Sequence, residues 1–131
     1  MSLCYIDGTF LPLEKASLPV SDYIILRGVG VFESICTFHR RPLMLTPHLE
    51  RLVRSAGSAS ITLPLPVDDI KDLIREGIAK MKEDCLVRPY ITGGDIFHEG
   101  GFPASRFFIL FEKVRKPAPE VYDKGVLLLP V

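Results

Sequence analysis

Between Thr46 and Glu83 the apolar residues recur at helical spacing, and on either side of that stretch they do not. Leu49, Leu52, Val53 and Ala56 fall at i, i+3, i+4 and i+7, one buried stripe along a helix. Ile70, Leu73, Ile74, Ile78 and Met81 repeat the pattern in a second helix, which starts after Asp68 and runs towards Glu83. Each stripe is apolar on one side only, so both helices need an apolar surface to lie on. The flanking segments supply it as short runs of β-branched and aromatic residues punctuated by Gly, Pro and Asp. Strands, then two helices, then strands describe an α+β fold: an antiparallel-rich sheet with two helices on one face.

Local signals set the expected boundaries. Leu3–Ile6 and Thr9–Leu11 flank Asp7-Gly8, a pair suited to a type I′ hairpin turn because both residues tolerate positive φ. Leu13 to Asp22, with Ser17, Pro19 and Ser21, reads as a surface crossing. Gly28 and Gly30 permit close backbone approach, and a strand is expected from Val31 to Phe38. His39-Arg40-Arg41 would turn into a short returning strand, Pro42 to Leu45. Thr46 is expected to cap the first helix, with Pro47 at its first position. Asp68 and Asp69 suit the N-terminus of the second helix, while Gly77 interrupts it at a modest cost in propensity.

Leu86 to Thr92 reads as a strand in which Pro89 sits where no ladder donor is needed. Gly93, Gly94, Gly100 and Gly101 mark a loop, and Arg106 to Glu112 returns to the sheet. The expected organisation is a domain over 1–114, a linker over 115–123 containing Lys116, Pro117 and Pro119, and a further strand over 124–131. That last strand either opens a second domain or adds to the same sheet.

Composition narrows the function classes. Sixteen Lys and Arg balance sixteen Asp and Glu in 131 residues, so no basic excess exists to release counterions from a nucleic acid. No window approaches the roughly 18 apolar residues of a membrane span, and Met1 to Phe10 reaches Asp7 too early for a signal peptide. Cys4, Cys36 and Cys85 form no Cys-x-x-Cys pair and read as buried thiols of a cytoplasmic protein. There is no phosphate loop, nucleophile elbow or His-Glu-x-x-His motif, and His39, His48 and His98 lie far apart, so no metal site is expected.

Two arginines pose sharper questions. Arg51, on a helix whose other face packs inward, could fork onto a phosphate or carboxylate, or could be a solvated residue paired with Glu50 or Asp22. Arg88 lies inside an otherwise apolar strand, where a charge must face solvent, a partner or a bound anion.

Asp22 and Leu26-Arg27-Gly28-Val29-Gly30-Val31-Phe32-Glu33, then Pro47-His48-Leu49-Glu50-Arg51-Leu52 and Ser55-Ala56, resemble the opening motifs of class IV aminotransferases, the fold-type IV pyridoxal-phosphate enzymes. Tyr5-Ile6-Asp7-Gly8 and Val87-Arg88-Pro89 fit the same pattern in the same order. The resemblance covers essentially all of this chain and the N-terminal half of the family's length. It implies pyridoxal 5′-phosphate as cofactor, an amino acid and a 2-oxo acid as substrates, and a homodimer. Arg51 matches the arginine that binds the cofactor phosphate. Phe32, Arg27 and Arg88 match substrate-pocket positions, Glu33 a structural one, and His48 a neighbour that buttresses Arg51. The Schiff-base lysine is expected beyond Val131, so no catalytic residue is assigned within the chain; Lys124 has neither its position nor its context.

The chain departs from the branched-chain enzymes at two places. Phe32-Glu33-Ser34-Ile35-Cys36 replaces their Phe-Glu-Gly-Ile-Arg, and Leu86 replaces a tyrosine before the Ile-Arg-Pro motif. Three functions are compatible with the residues: the N-terminal part of an aminotransferase, an aminodeoxychorismate-lyase-like enzyme, or a non-catalytic binding or dimerisation module.

Overall fold

A computed structural model describes residues 1–130. Seven strands, β1 (Leu3–Ile6), β2 (Thr9–Pro12), β3 (Gly30–Phe32), β4 (Ile35–Phe38), β5 (Arg41–Pro42), β6 (Cys85–Thr92) and β7 (Arg106–Lys113), form one antiparallel sheet. Its order is β2-β1-β7-β6-β4-β5, with β3 also pairing β6. The helices α2 (Leu45–Ser58) and α3 (Val67–Met81) cover one face, as the periodicity predicts. The long β6–β7 pair, in register from Cys85↔Lys113 to Thr92↔Arg106, is the spine of the sheet.

Period-two alternation decides the two faces. Cys85, Val87, Pro89 and Ile91 of β6 and Phe107, Ile109 and Phe111 of β7 are buried. With Ile35, Leu49, Leu52, Ala56, Ile70, Ile74, Ile78 and Met81 they form the core between sheet and helices. Leu86, Arg88, Tyr90, Phe108, Leu110 and Glu112 point the other way and are half-buried. The β1–β2 turn has φ of 50° at Asp7 and 78° at Gly8, as a type I′ turn requires.

The single strand expected from Val31 to Phe38 is two, β3 and β4, laid end to end along β6. Phe32↔Tyr90 and Ile35↔Val87 keep one register, which sets Glu33 opposite Pro89. The Glu33 amide donates to the Pro89 carbonyl at 3.2 Å, and Pro89 has no N–H to return. The ladder opens there. Pro89 thus sits in a central strand, its missing donor falling at the gap.

Other boundaries also move. The returning strand is only Arg41–Pro42, because Leu43 and Met44 turn and α2 begins at Leu45. Met44, with φ of 51°, precedes the helix, so Thr46 caps nothing; Pro47 still lies in the first turn, where its missing N–H costs no bond. Between the surface crossing, which ends at Asp22, and Gly28 lies a short helix that the sequence reading did not expect, α1 (Tyr23–Arg27). Asp22 Oδ1 caps it by accepting from the Ile24 amide at 2.9 Å, and Gly28 ends it in the left-handed conformation at φ of 67°.

The Asp22 carboxylate is fully buried. Its Oδ2 accepts from Thr92 Oγ1 at 2.7 Å and Arg106 Nη1 at 3.0 Å, pinning α1 to the ends of β6 and β7.

A short helix, α4 (Pro119–Lys124), occupies the end of the segment read as a linker and the first residue of the expected strand. Residues 125–130 are not a strand, and Leu127, Leu128 and Leu129 are exposed. A strand is regular only where a neighbouring strand takes its hydrogen bonds, and among the described residues the segment's backbone bonds only through Gly125 N–H, which closes α4 on Val121. Val131, part of that expectation, lies outside them. Cys4 and Cys85 are buried as expected, whereas Cys36 is exposed because it falls on the outward phase of β4.

Candidate functional site

Glu33 is the organising residue. It shares the inward phase of Val31, Ile35 and Thr37, so a carboxylate that is 4% exposed points towards α2. Burial there demands compensation. Arg51 supplies it as a fork, Nε to Oε1 at 2.7 Å and Nη2 to Oε2 at 2.6 Å. His48 Nδ1 lies 2.7 Å from the same Oε2. The hydrogen bond from Arg51 holds the Glu33 carboxyl below the usual range against the opposing effect of burial, with His48 helping. Neither Glu50 nor Asp22 is the partner of Arg51.

His48, Arg51 and Arg54, three residues apart along α2, line a shallow crevice together with Met44 and Pro47. Arg51 is 61% exposed, and only Nε and Nη2 are used by Glu33. Its Nη1 has no partner among the described residues. A guanidinium pinned on one edge and open on the other can accept an anion without reorganising.

Phe32, next in sequence, faces the opposite side and is 54% exposed. It stacks on Tyr90 at 4.9 Å between centroids, and Tyr90 stacks on Phe108 at 4.7 Å. The register Phe32↔Tyr90↔Phe108 makes this an aromatic row across three strands on the face the helices leave open. Arg88 lies on that face, paired with Glu112. The two are diagonal neighbours, since Arg88 stands opposite Leu110 and Glu112 opposite Leu86. Arg27 ends α1, exposed and with no ion pair among the described residues.

The structure therefore brings Phe32 and Arg88 together on the open face. It sets Arg51 beside Glu33 on the helix side, and leaves Arg27 on a separate element. The sequence reading missed Glu33 as the carboxylate that holds Arg51, and it missed Arg54, Tyr90, Phe108 and Glu112. An acidic residue in the buried phase of a strand was the available signal for the first, and period-two phasing for the last three. No group of three or more His, Cys, Asp or Glu side chains is placed to hold a metal ion among the described residues. No described helix is long and apolar enough to cross a membrane.

Known proteins share both the sequence pattern and the fold. A protein of Methanocaldococcus jannaschii, assigned by name to the branched-chain-amino-acid aminotransferases, is 33% identical over 91 residues, 69% of this chain and 32% of its own length. The aminodeoxychorismate lyase of Bacillus subtilis is 26% identical over 109 residues, 80% of this chain and 36% of its own. A fold IV transaminase of Curtobacterium pusillum superposes with a TM-score of 0.74 at 20% identity, over 88% of this chain and 43% of that one. The chain thus spans about a third of the length of the curated relatives it matches. The family pattern described as amino-transferase class IV matches residues 30–130. With the sheet, the paired glutamate and arginine and these matches in hand, the chain belongs to the class IV aminotransferases.

Proposed function

We propose that this chain is the N-terminal part of a pyridoxal-phosphate-dependent aminotransferase that moves an amino group between an amino acid and a 2-oxo acid. In this reading residues 1–114 are its first domain, 115–123 the linker and 124–131 the start of a second domain carrying the lysine. The observation that carries it is the Phe32-Glu33 dipeptide. Consecutive residues of one strand end serve two sides: Phe32 begins an aromatic wall, and Glu33 holds an arginine whose Nη1 edge is left open.

The fit to the cofactor is chemical. Arg51 would take the phosphate through the part of its guanidinium that Glu33 leaves unused, so the grip is oriented before the ligand arrives. Pyridoxal phosphate supplies, when bound, an electron sink for chemistry at the substrate's α-carbon. Phe32 and Tyr90 would exclude water from one wall, and Arg27 and Arg88 would orient substrate. The three free cysteines suit a reducing cytoplasm. A homodimer is part of the same proposal, by analogy with the family.

The protein expressed from its natural gene should retain pyridoxal phosphate and exchange amino groups with 2-oxo acids. Arg51→Ala should weaken cofactor retention by at least about tenfold, the worth of one charge-assisted hydrogen bond; unchanged affinity would remove Arg51 from the site. A second reading, a lyase, is favoured by the match to the Bacillus subtilis enzyme over 80% of this chain. Pyruvate released without an amino acceptor would select it.

A further inference from the structure

The hydrogen-bond donors around Glu33 are unequal. Arg51 is always charged, whereas His48 can be neutral or cationic. Glu33 is an acceptor only, and His48 Nδ1 lies 2.7 Å from its Oε2, so Nδ1 carries the hydrogen in either state. The question is then what Nε2 does. It has no hydrogen-bond partner among the described residues, and the His48 side chain lines the crevice with Arg51 and Arg54.

Charge bookkeeping makes Nε2 decisive. With a neutral imidazole, Glu33 cancels Arg51, and Nε2 offers the crevice a lone pair, which repels an anion's oxygens. With a protonated imidazole, the three groups sum to one positive charge, and Nε2–H becomes a charge-assisted donor. We propose that His48 is a proton-linked positioning residue: a dianion entering the crevice beside Arg51 takes up one proton from solvent, which binds at His48 Nε2.

The groups that face His48 are few. Glu33 comes from the junction of β3 and β4, and Arg51 and Arg54 come from its own helix. β3, against which α2 packs, carries no ionisable side chain among Gly30, Val31 and Phe32. Glu33 does not take the proton itself, because Arg51 keeps its carboxyl below the usual range. A buttressing role alone would require Nδ1 and nothing of Nε2, and would link no proton to ligand binding. The inference rests on the phosphate reading of Arg51 only for the identity of the natural ligand.

The test uses the natural-gene protein stripped of cofactor and titrated calorimetrically with sodium sulfate, a dianion that does not itself titrate between about pH 6 and 8.5. Two buffers of different ionisation heat report the protons exchanged. Net uptake approaching one proton per sulfate is expected wherever the free protein leaves Nε2 bare, with affinity falling there towards a limit of about tenfold per pH unit. His48→Gln should abolish both the uptake and the slope, and Arg51→Ala should abolish binding.

No uptake in the wild type, no sulfate binding, or uptake that persists in His48→Gln would each overturn the proposal. Should the variant fail to fold, nitrogen-15 shifts of the wild-type imidazole decide. Nε2 must go from bare to protonated on adding sulfate at a pH where the free protein leaves it bare, and a bare Nε2 with sulfate bound refutes the proposal. The same titration with pyridoxal phosphate separates the two readings. Cofactor binding by a protein that takes up no proton with sulfate would sink only the role of His48. Proton-linked sulfate binding in a protein that ignores the cofactor would sink only the aminotransferase.

Discussion

At the scale of residues, Glu33 carries more than its place in a family signature suggests. Replacing it by Gln keeps the shape but removes the charge that Arg51 and His48 share. Because Arg51 is largely exposed, part of its loss is made good by water, and a cost of about 1–2 kcal/mol is expected. The sign of the pH effect follows from the lowered pKa. The contribution is fully present above the ordinary glutamate value of about 4.3 and is lost as the pH falls through the lower native one. Urea unfolding of wild type and Glu33→Gln should therefore differ at neutral pH and converge in acid; a constant gap would show that the ion pair is not the source. Arg51 was legible as an anion-binding candidate from its place on the helix. Its partner was not, because Glu33 is eighteen residues away and only the meeting of strand and helix joins them.

At the scale of elements, Gly77 shows how packing can reverse a sequence argument. By propensity alone, Gly77→Ala should stabilise α3 by up to about 1 kcal/mol. The structure sets a Cβ at Gly77 only 2.0 Å from Cζ of Phe111, inside the core, so the fully buried ring or the helix would have to shift. Overpacking of this kind costs about 1–3 kcal/mol, so the variant should melt at lower temperature than wild type. A variant that melts higher would mean α3 does not lie this close to β7. Both long helices were readable from their stripes, and the β1–β2 hairpin from Asp7-Gly8. The split between β3 and β4 was not, since Pro89 marks the gap only once Glu33 is known to lie opposite it. α1 escaped notice because its five residues are too few to repeat an i, i+3, i+4, i+7 stripe, and its cap is held from β6 and β7.

At the scale of the molecule, the sheet has one covered face and one open face. The row Phe32, Tyr90 and Phe108 is apolar surface of the sort that marks a binding or domain interface. Leu127 to Leu129 are exposed as well. Intact-mass measurement of the natural gene product should give a chain longer than these 131 residues. A product ending at Val131 would leave the aminotransferase as ancestry and make binding the leading function. The sequence by itself determined the fold class, the two amphipathic helices and the strand alternation, because these are written in short-range periodicity and turn chemistry; the family entered through the resemblance of its motifs. Tertiary structure decided which cation Glu33 holds, where the ladder breaks, and that Phe32 and Glu33 serve opposite sides. Those outcomes depend on which residues a fold brings together from distant positions, and hydrogen bonding and burial settle them only after the chain has closed on itself.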